Sequence, residues 1–135
     1  MKSLSTYVFA SILSVSGGVS AFDANEVERE FDACLSQDST TYGMERCANE
    51  FHQRWDNLLN QAYRELMTVL DEDGQQKLRD AQRAWIKFRD SEITNMDNIY
   101  SHTQGSMYIV VYAGNVMDIT KARAMQLNGY LADLR

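Results

Sequence analysis

The residues best suited to chemistry in this sequence are two cysteines, two histidines and a few polar side chains set among apolar ones. His52 and Asp56 stand one helical turn apart, the spacing of a helical metal pair, but no third ligand accompanies them and a solvated contact is the simpler interpretation. The sequence has no His-Glu-x-x-His motif, no nucleophile elbow and no glycine-rich phosphate loop. Nothing singles out two of its carboxylates as acid and base. We therefore predict a protein that is not an enzyme and that holds neither a metal ion nor an organic cofactor.

The first 21 residues have the pattern of a secretory signal peptide. Lys2 supplies a positive start, an apolar stretch follows from Tyr7 to Val15, and Val19-Ser20-Ala21 places small residues where a signal peptidase cleaves. The apolar stretch is well short of the ~20 residues that cross a bilayer, and no cysteine lies near Ala21 to carry a lipid. We expect cleavage near Ala21 and an unanchored mature protein in the bacterial periplasm or outside the cell.

The remaining residues, 22–135, have a length that suits one compact domain. They hold 12 basic and 19 acidic residues, because only Lys2 is lost with the leader, so their formal charge is −7. Such a charge can simply keep a protein dispersed, but it also disfavours phosphate backbones and anionic lipid and speeds encounter with a basic protein. We expect a protein partner and no nucleic acid.

Cys34 and Cys47 are the only cysteines, and both lie in the part that would be exported, where thiols are normally oxidised. We predict one disulfide between them, which stabilises by roughly 3 kcal/mol in the chain-entropy model for a loop of this length. A redox-active or metal-binding pair is the alternative, but the spacing is not Cys-x-x-Cys and no third ligand is evident.

Apolar residues recur every three or four positions along most of the chain after the leader, and no proline interrupts them. The pattern predicts four helices, namely Asn25 to Leu35, a second from Thr40 or Thr41 to Val69, a third between the turn Asp71 to Gly74 and the polar stretch Ser101 to Ser106, and a fourth from Met107 to Leu134. Because amphipathic helices bury their apolar stripes against one another, we predict an all-α fold. It would be a small antiparallel bundle, or a long hairpin with two flanking helices.

The large aromatic residues lie on these stripes, so core packing is preferred over a platform for stacking sugars or other ligands. The residues concerned are Phe51, Trp55, Trp85 and Phe88. By the same spacing Ile99, Leu127 and Leu134 are expected to face inward.

A set of landmarks in fixed order gives the chain a family resemblance. They are Met44-x-x-Cys47, Leu59-Asn60-x-x-Tyr63, the ten residues Ala81 to Asp90 (AQRAWIKFRD), and Thr120-x-x-Arg123-x-x-x-Leu127. In this combination the chain resembles, from about Phe31 to Leu131, the N-terminal domain family of the lysozyme inhibitor LprI, small exported helical domains of bacteria. The resemblance implies a single LprI-like helical domain over 22–135 and inhibition of lysozyme-type muramidases.

The chain departs from this family at a second cysteine pair that its members commonly carry. Ile93 and Val116 stand at the corresponding positions. Because both are apolar, we expect a buried contact in place of a covalent bridge between the third and fourth helices.

Five polar residues fall within or beside the apolar stripes: Asn60, Gln82, Arg89, Thr120 and Arg123. A buried arginine needs hydrogen-bond partners, because unpaired buried polar groups are costly. We interpret these residues as an internal network in which Asn60, Gln82 and Thr120 satisfy Arg89 or Arg123 and fix the helix register. A solvent-facing role in binding a partner is the alternative.

The leading hypothesis is an exported binding protein that inhibits cell-wall muramidases. An active-site cleft is concave, so the helix connections are the expected contact surfaces, with Asp71, Glu72 and Asp73 in one and His102 and Gln104 in the other. An immunity protein that neutralises a periplasm-targeted effector is an alternative, as is a structural or stress-linked periplasmic module that binds no enzyme. Both a monomer and a dimer through the long helices are compatible with the sequence.

Overall fold

The computed structural model describes residues 21–134, and nearly all of them are helical. The four helices are α1 (Ala24–Gln37), α2 (Thr41–Val69), α3 (Glu72–Ser101) and α4 (Met107–Asp133). No strand occurs in this part of the chain. The all-α prediction with four helices is therefore confirmed, and the predicted ends agree to within a few residues. The predicted signal peptide lies outside the described residues, except for its last position.

Local chemistry explains where the helices begin. The side chains of Asp23, Thr40 and Asp71 cap α1, α2 and α3, each accepting a hydrogen bond from a backbone N–H two or three residues further along. No side chain caps α4 in this way. Instead Gly105, with φ of 103°, turns the chain just before it. That backbone conformation strains any residue with a Cβ, so the connection needs glycine here.

The directions of the helices follow from contacts between α3 and α4. Gln82 early in α3 accepts a hydrogen bond from Arg123 late in α4, and Asp97 late in α3 accepts one from Tyr112 early in α4, so these two helices are antiparallel. α3 begins soon after α2 ends, and its residues Arg89 and Ile93 border the same groove as His52 of α2, so α3 folds back along α2. α1 and α2 are antiparallel as well, since Phe31 packs on Phe51 and Glu30 pairs with Arg54. Consecutive helices are therefore antiparallel, as predicted, while α2 and α4 run in the same direction.

The core lies between α2 and α4, which share the largest helix interface. Buried positions on α4 recur at steps of four, three, four, three and four residues, which is the spacing of a coiled-coil seam. Alanines on both helices let the backbones approach closely. The buried residues of the seam are Ala48, Phe51, Trp55, Leu59, Ala62 and Leu66 from α2, with Ala113, Met117, Thr120, Ala124, Leu127 and Leu131 from α4.

α3 is the least buried of the long helices. Of its 30 residues only Leu78 and Met96 are buried. The expectation that Phe88 and Ile99 face inward is wrong, because they are 55% and 50% exposed. The same expectation is wrong for Leu134 at the end of α4, which is 58% exposed because it follows the last helical residue, Asp133. Trp85 is half-buried, and so are Ile93 and Val116, which were expected to be buried. The physical reason is that α2 and α4 already cover each other's apolar stripes, which leaves α3 only a narrow line of contact.

The predicted disulfide is confirmed, since Cys34 in α1 is bonded to Cys47 in α2. Val27 is the buried residue of α1, and the ring of Phe31 packs 5.2 Å from that of Phe51, measured between centroids. α1 therefore lies on the bundle through one covalent bond and a short apolar face.

The segment before α1 is also attached to the bundle. The backbone N–H and C=O of Phe22 exchange two hydrogen bonds with the side-chain amide of Asn128, each 2.9 Å long. The ring of Phe22 meets that of Trp55 edge-on, 5.9 Å between centroids. Lys121 also lies 5.9 Å from the ring centre of Trp55 and pairs with Glu28 of α1. These contacts surround Trp55.

Candidate protein-binding surfaces

The structure buries one of the two predicted core arginines. Arg123 is 9% exposed, and its Nε donates to Oε1 of Gln82 at 3.0 Å. A second guanidinium nitrogen donates to Oε1 of Gln126. Desolvation by burial lowers the pKa of Arg123, which is the electrostatic cost that the two hydrogen bonds offset. This pairing links α3 to α4 and fixes their relative position.

Thr120 is buried but does not contact the arginine pair through a hydrogen bond. Its Oγ1 lies 3.1 Å from Nε2 of His52, which joins α4 to α2. Burial is the main cause that lowers the pKa of His52; the charge of Arg89 acts in the same direction, and that of Asp56 opposes it. The histidine is therefore held neutral at pH 7 as a polar link in the seam.

Arg89 is half-buried and Asn60 is exposed, and both bond to neighbours on their own helix, so the five predicted residues do not form one network. Arg89 donates two hydrogen bonds to Asp90, at 2.8 and 2.9 Å, and its guanidinium carbon lies 5.3 Å from the centre of the Trp85 ring. Asn60 is exposed and donates to the backbone oxygen of Asp56 at 2.9 Å. The reason is geometric: Asn60 is on the outer face of α2, and the loose contact of α3 leaves Arg89 within reach of water.

A polar groove lies between α2 and α3, lined by His52, Asp56, Arg89 and Asp90 among others, with a volume of about 460 Å³. Arg89 bonds to Asp90, His52 to Thr120 in the seam, and Asp56 accepts a hydrogen bond from Asn60. Among residues 21–134 no cluster of three or more His, Cys, Asp or Glu side chains could hold a metal ion. Trp85 borders a different groove, between α3 and α4, while Trp55 lies in the core. The arrangement has no evident nucleophile and base pair.

The acidic turn between α2 and α3 consists of Asp71, Glu72 and Asp73, all exposed. Asp71 accepts a hydrogen bond from the backbone N–H of Gly74 at 2.8 Å, and Asp73 forms an ion pair with Lys77. Carboxylates in the first turn also interact favourably with the helix dipole. Most of this acidity is thus accounted for by the start of α3.

The opposite end of the bundle, residues 97–112, has a different character, and we call it the tyrosine end. Tyr100 lies 6.3 Å from Tyr108 and 6.1 Å from Tyr112, measured between ring centroids, and the three rings border an open cavity of about 430 Å³. Tyr112 donates a 2.6 Å hydrogen bond to Asp97, and Tyr100 accepts one of 2.6 Å from Asn115. The bond to Asp97 is the main cause that raises the pKa of Tyr112.

The tyrosine end also exposes large apolar side chains. His102 and Gln104, predicted as contact residues, are exposed in its connection, and Nδ1 of His102 lies 2.7 Å from the backbone oxygen of Asn98. Sequence reasoning missed the tyrosines beside them, because it treated the start of α4 as a continuous core stripe. A usable signal was present, since no lysine or arginine occurs between Arg89 and Lys121. The exposed apolar residues are Ile99, Met107, Tyr108, Ile109 and Val111.

Comparison with known proteins shows a match to one protein family. A family model described as "Lysozyme inhibitor LprI" matches residues 32–127, which is most of the chain and includes parts of all four helices. Neither a curated protein nor a solved structure matches. In the described range, 21–134, no helix combines the length and the apolar character needed to span a membrane.

Proposed function

Because this chain belongs to the family of the lysozyme inhibitor LprI, we propose that it is an exported protein that binds lysozyme-type muramidases and blocks their access to cell-wall glycan. The family match over residues 32–127 is the observation that carries this proposal. The protein would act by occupying surface on the enzyme rather than by chemistry of its own. A periplasmic or extracellular location agrees with the family's role.

Two physical features of the molecule support this function. The formal charge of −7 on residues 22–135 favours encounter with a basic enzyme, because complementary charge speeds association. The disulfide between α1 and α2 suits an oxidising compartment, where such bonds persist. The predicted signal peptide would deliver the chain there.

The direct test is inhibition of cell-wall digestion. Protein produced from the full-length gene in a bacterial host, and collected from its periplasm, is added to a basic lysozyme and a turbid cell-wall suspension. We expect clearing to slow in proportion to the added protein until the two are equimolar. An acidic exported helical protein of similar size and charge serves as control, because it should not slow the reaction. Unchanged clearing at stoichiometric excess of the chain would contradict the proposal.

The two other hypotheses, an immunity protein against a periplasm-targeted effector and a structural or stress-linked module, gain no observation of their own from the structure. Affinity capture separates the three. The proposed function predicts that a muramidase is retained, and the immunity hypothesis predicts an effector from a competing cell. A structural or stress-linked module would retain no stoichiometric partner.

A further inference from the structure

We infer that the tyrosine end is the surface that enters the substrate cleft of the muramidase, with Tyr108 and Ile109 at the centre of the contact. This inference rests on the proposed function and names the partner-binding site within it. The partner is thus a basic protein whose cleft otherwise holds a glycan chain. The acidic turn, at the other end of the bundle, is not the contact surface.

The first support is exposed apolar area at the connection between α3 and α4. Five large apolar side chains within residues 99–111 are between 40% and 53% exposed. Such patches on soluble proteins mark interaction sites, because leaving them in water is unfavourable. The cavity beside Tyr108 adds a recess that a partner side chain could fill.

The second support is that two of the three tyrosines, Tyr100 and Tyr112, are held in place before any partner arrives, and the ring of Tyr108 packs against that of Tyr100. The hydroxyl of Tyr112 is bonded to Asp97, and that of Tyr100 to Asn115. Rings that are already fixed lose little conformational entropy on binding. Tyrosine is also one of the residue types that dominate the binding energy of protein interfaces. The end therefore has the composition and the rigidity of a binding surface.

The third support is charge. No lysine or arginine lies between Arg89 and Lys121, while the carboxylates of Glu92, Asp97 and Asp118 fall in that interval. Residues 90–120 consequently carry no lysine or arginine that would repel a basic cleft. Arg46, at the same end of the bundle in α2, is paired with Glu50. The acidic turn differs, because Lys77 and Arg79 follow it within the first two or so turns of α3.

The composition favours a protein over the glycan itself. Sugars are bound by aromatic faces together with many hydrogen-bonding groups, whereas Ile99, Met107 and Val111 offer only apolar surface here. The same residues suit the apolar core of a protein interface with a polar rim. Binding of cell-wall oligosaccharide at this end is therefore a competing outcome of the test.

The test places one positive charge at each of three exposed aliphatic positions in the full-length chain. Ile109→Lys alters the tyrosine end, where Ile109 is 49% exposed. Ile86→Lys alters the middle of α3 and Val69→Lys the opposite end, at 38% and 45% exposure. We expect Ile109→Lys to raise the inhibition constant for lysozyme by roughly tenfold or more, and the two controls to stay within about twofold. Thermal unfolding checks that all three variants fold.

The outcomes distinguish this inference from the function on which it rests. If wild-type protein does not inhibit, both fall together. If it inhibits and Ile109→Lys inhibits equally well, the function stands and this surface is wrong. The surface is also wrong if Ile109→Lys keeps lysozyme inhibition but loses binding of soluble cell-wall oligosaccharide. Should Ile109→Lys fail to fold, Tyr108→Ala is read by the same criteria.

Discussion

Replacing Leu127 by alanine should destabilise the protein far more than replacing Phe88, although phenylalanine is larger and the apolar spacing puts both in the core. Leu127 is 0% exposed in the seam between α2 and α4. A change from Leu to Ala at such a site costs about 2–5 kcal/mol, because transfer free energy is lost and a cavity remains. Phe88 is 55% exposed, so it realises just under half of the ~1.5–3 kcal/mol that full burial of such a side chain provides. We expect about 3 kcal/mol for Leu127→Ala and about 1 kcal/mol for Phe88→Ala.

Urea unfolding followed by circular dichroism at pH 7 measures both values. For a domain of this size, roughly 4 °C of Tm accompanies each kcal/mol, so thermal scans should show losses of about 12 °C and 4 °C. Leu134→Ala is the matched control, since the chemical change is that of Leu127→Ala but the side chain is 58% exposed. It should cost about 1 kcal/mol or less, because its buried fraction is close to that of Phe88. A cost for Phe88→Ala equal to that of Leu127→Ala would mean that α3 packs tightly into the bundle, and the two-helix core described here would be wrong.

Three further predictions concern covalent and titrating groups. The double substitution Cys34→Ala and Cys47→Ala should lower the free energy of unfolding by roughly 3 kcal/mol. A reductant should lower the free energy of unfolding of the wild type by the same amount and leave that of the variant unchanged. The folded-state pKa of His52 is lowered from 6.5, so the unfolded chain binds more protons at this residue than the folded chain does. The free energy of unfolding should therefore fall as pH drops below about 6.5, and it should fall less in the His52→Gln variant. Tyr112 should ionise above pH 10.0 in an absorbance titration and at lower pH after Asp97→Asn; the stability from that bond is present below pH 10.0 and lost as pH rises through the raised pKa.

Helix ends and the disulfide were predictable because their causes are local. Thr40 and Asp71 cap the helices that follow them through hydrogen bonds that span three residues, so the cap is visible in the sequence. Cys34 and Cys47 had no other cysteine with which to pair. Family membership was also predictable, since the order of motifs along the chain needs no coordinates.

The placement of the polar residues was not predictable in the same way. Arg89 and Arg123 both stand beside apolar stripes, yet Arg123 is buried with Gln82, whereas Arg89 is only half-buried and lies over the Trp85 ring. Spacing shows which residues share a helix face but not what covers that face. The burial of an arginine depends on how closely a neighbouring helix approaches, which is a property of the assembled bundle.

By itself the sequence determined the number of helices, their ends, the cross-link and the family, because each depends on nearby residues or on motif order. Only the tertiary structure decided that α2 and α4, separated along the chain by the whole of α3, form the core as parallel neighbours. All three long helices carry apolar stripes, and a stripe has no information about its partner. α2 and α4 pack together because their apolar stripes are the most complementary pair. As a result, α3 remains largely exposed to solvent and none of the four described helices covers the tyrosine end.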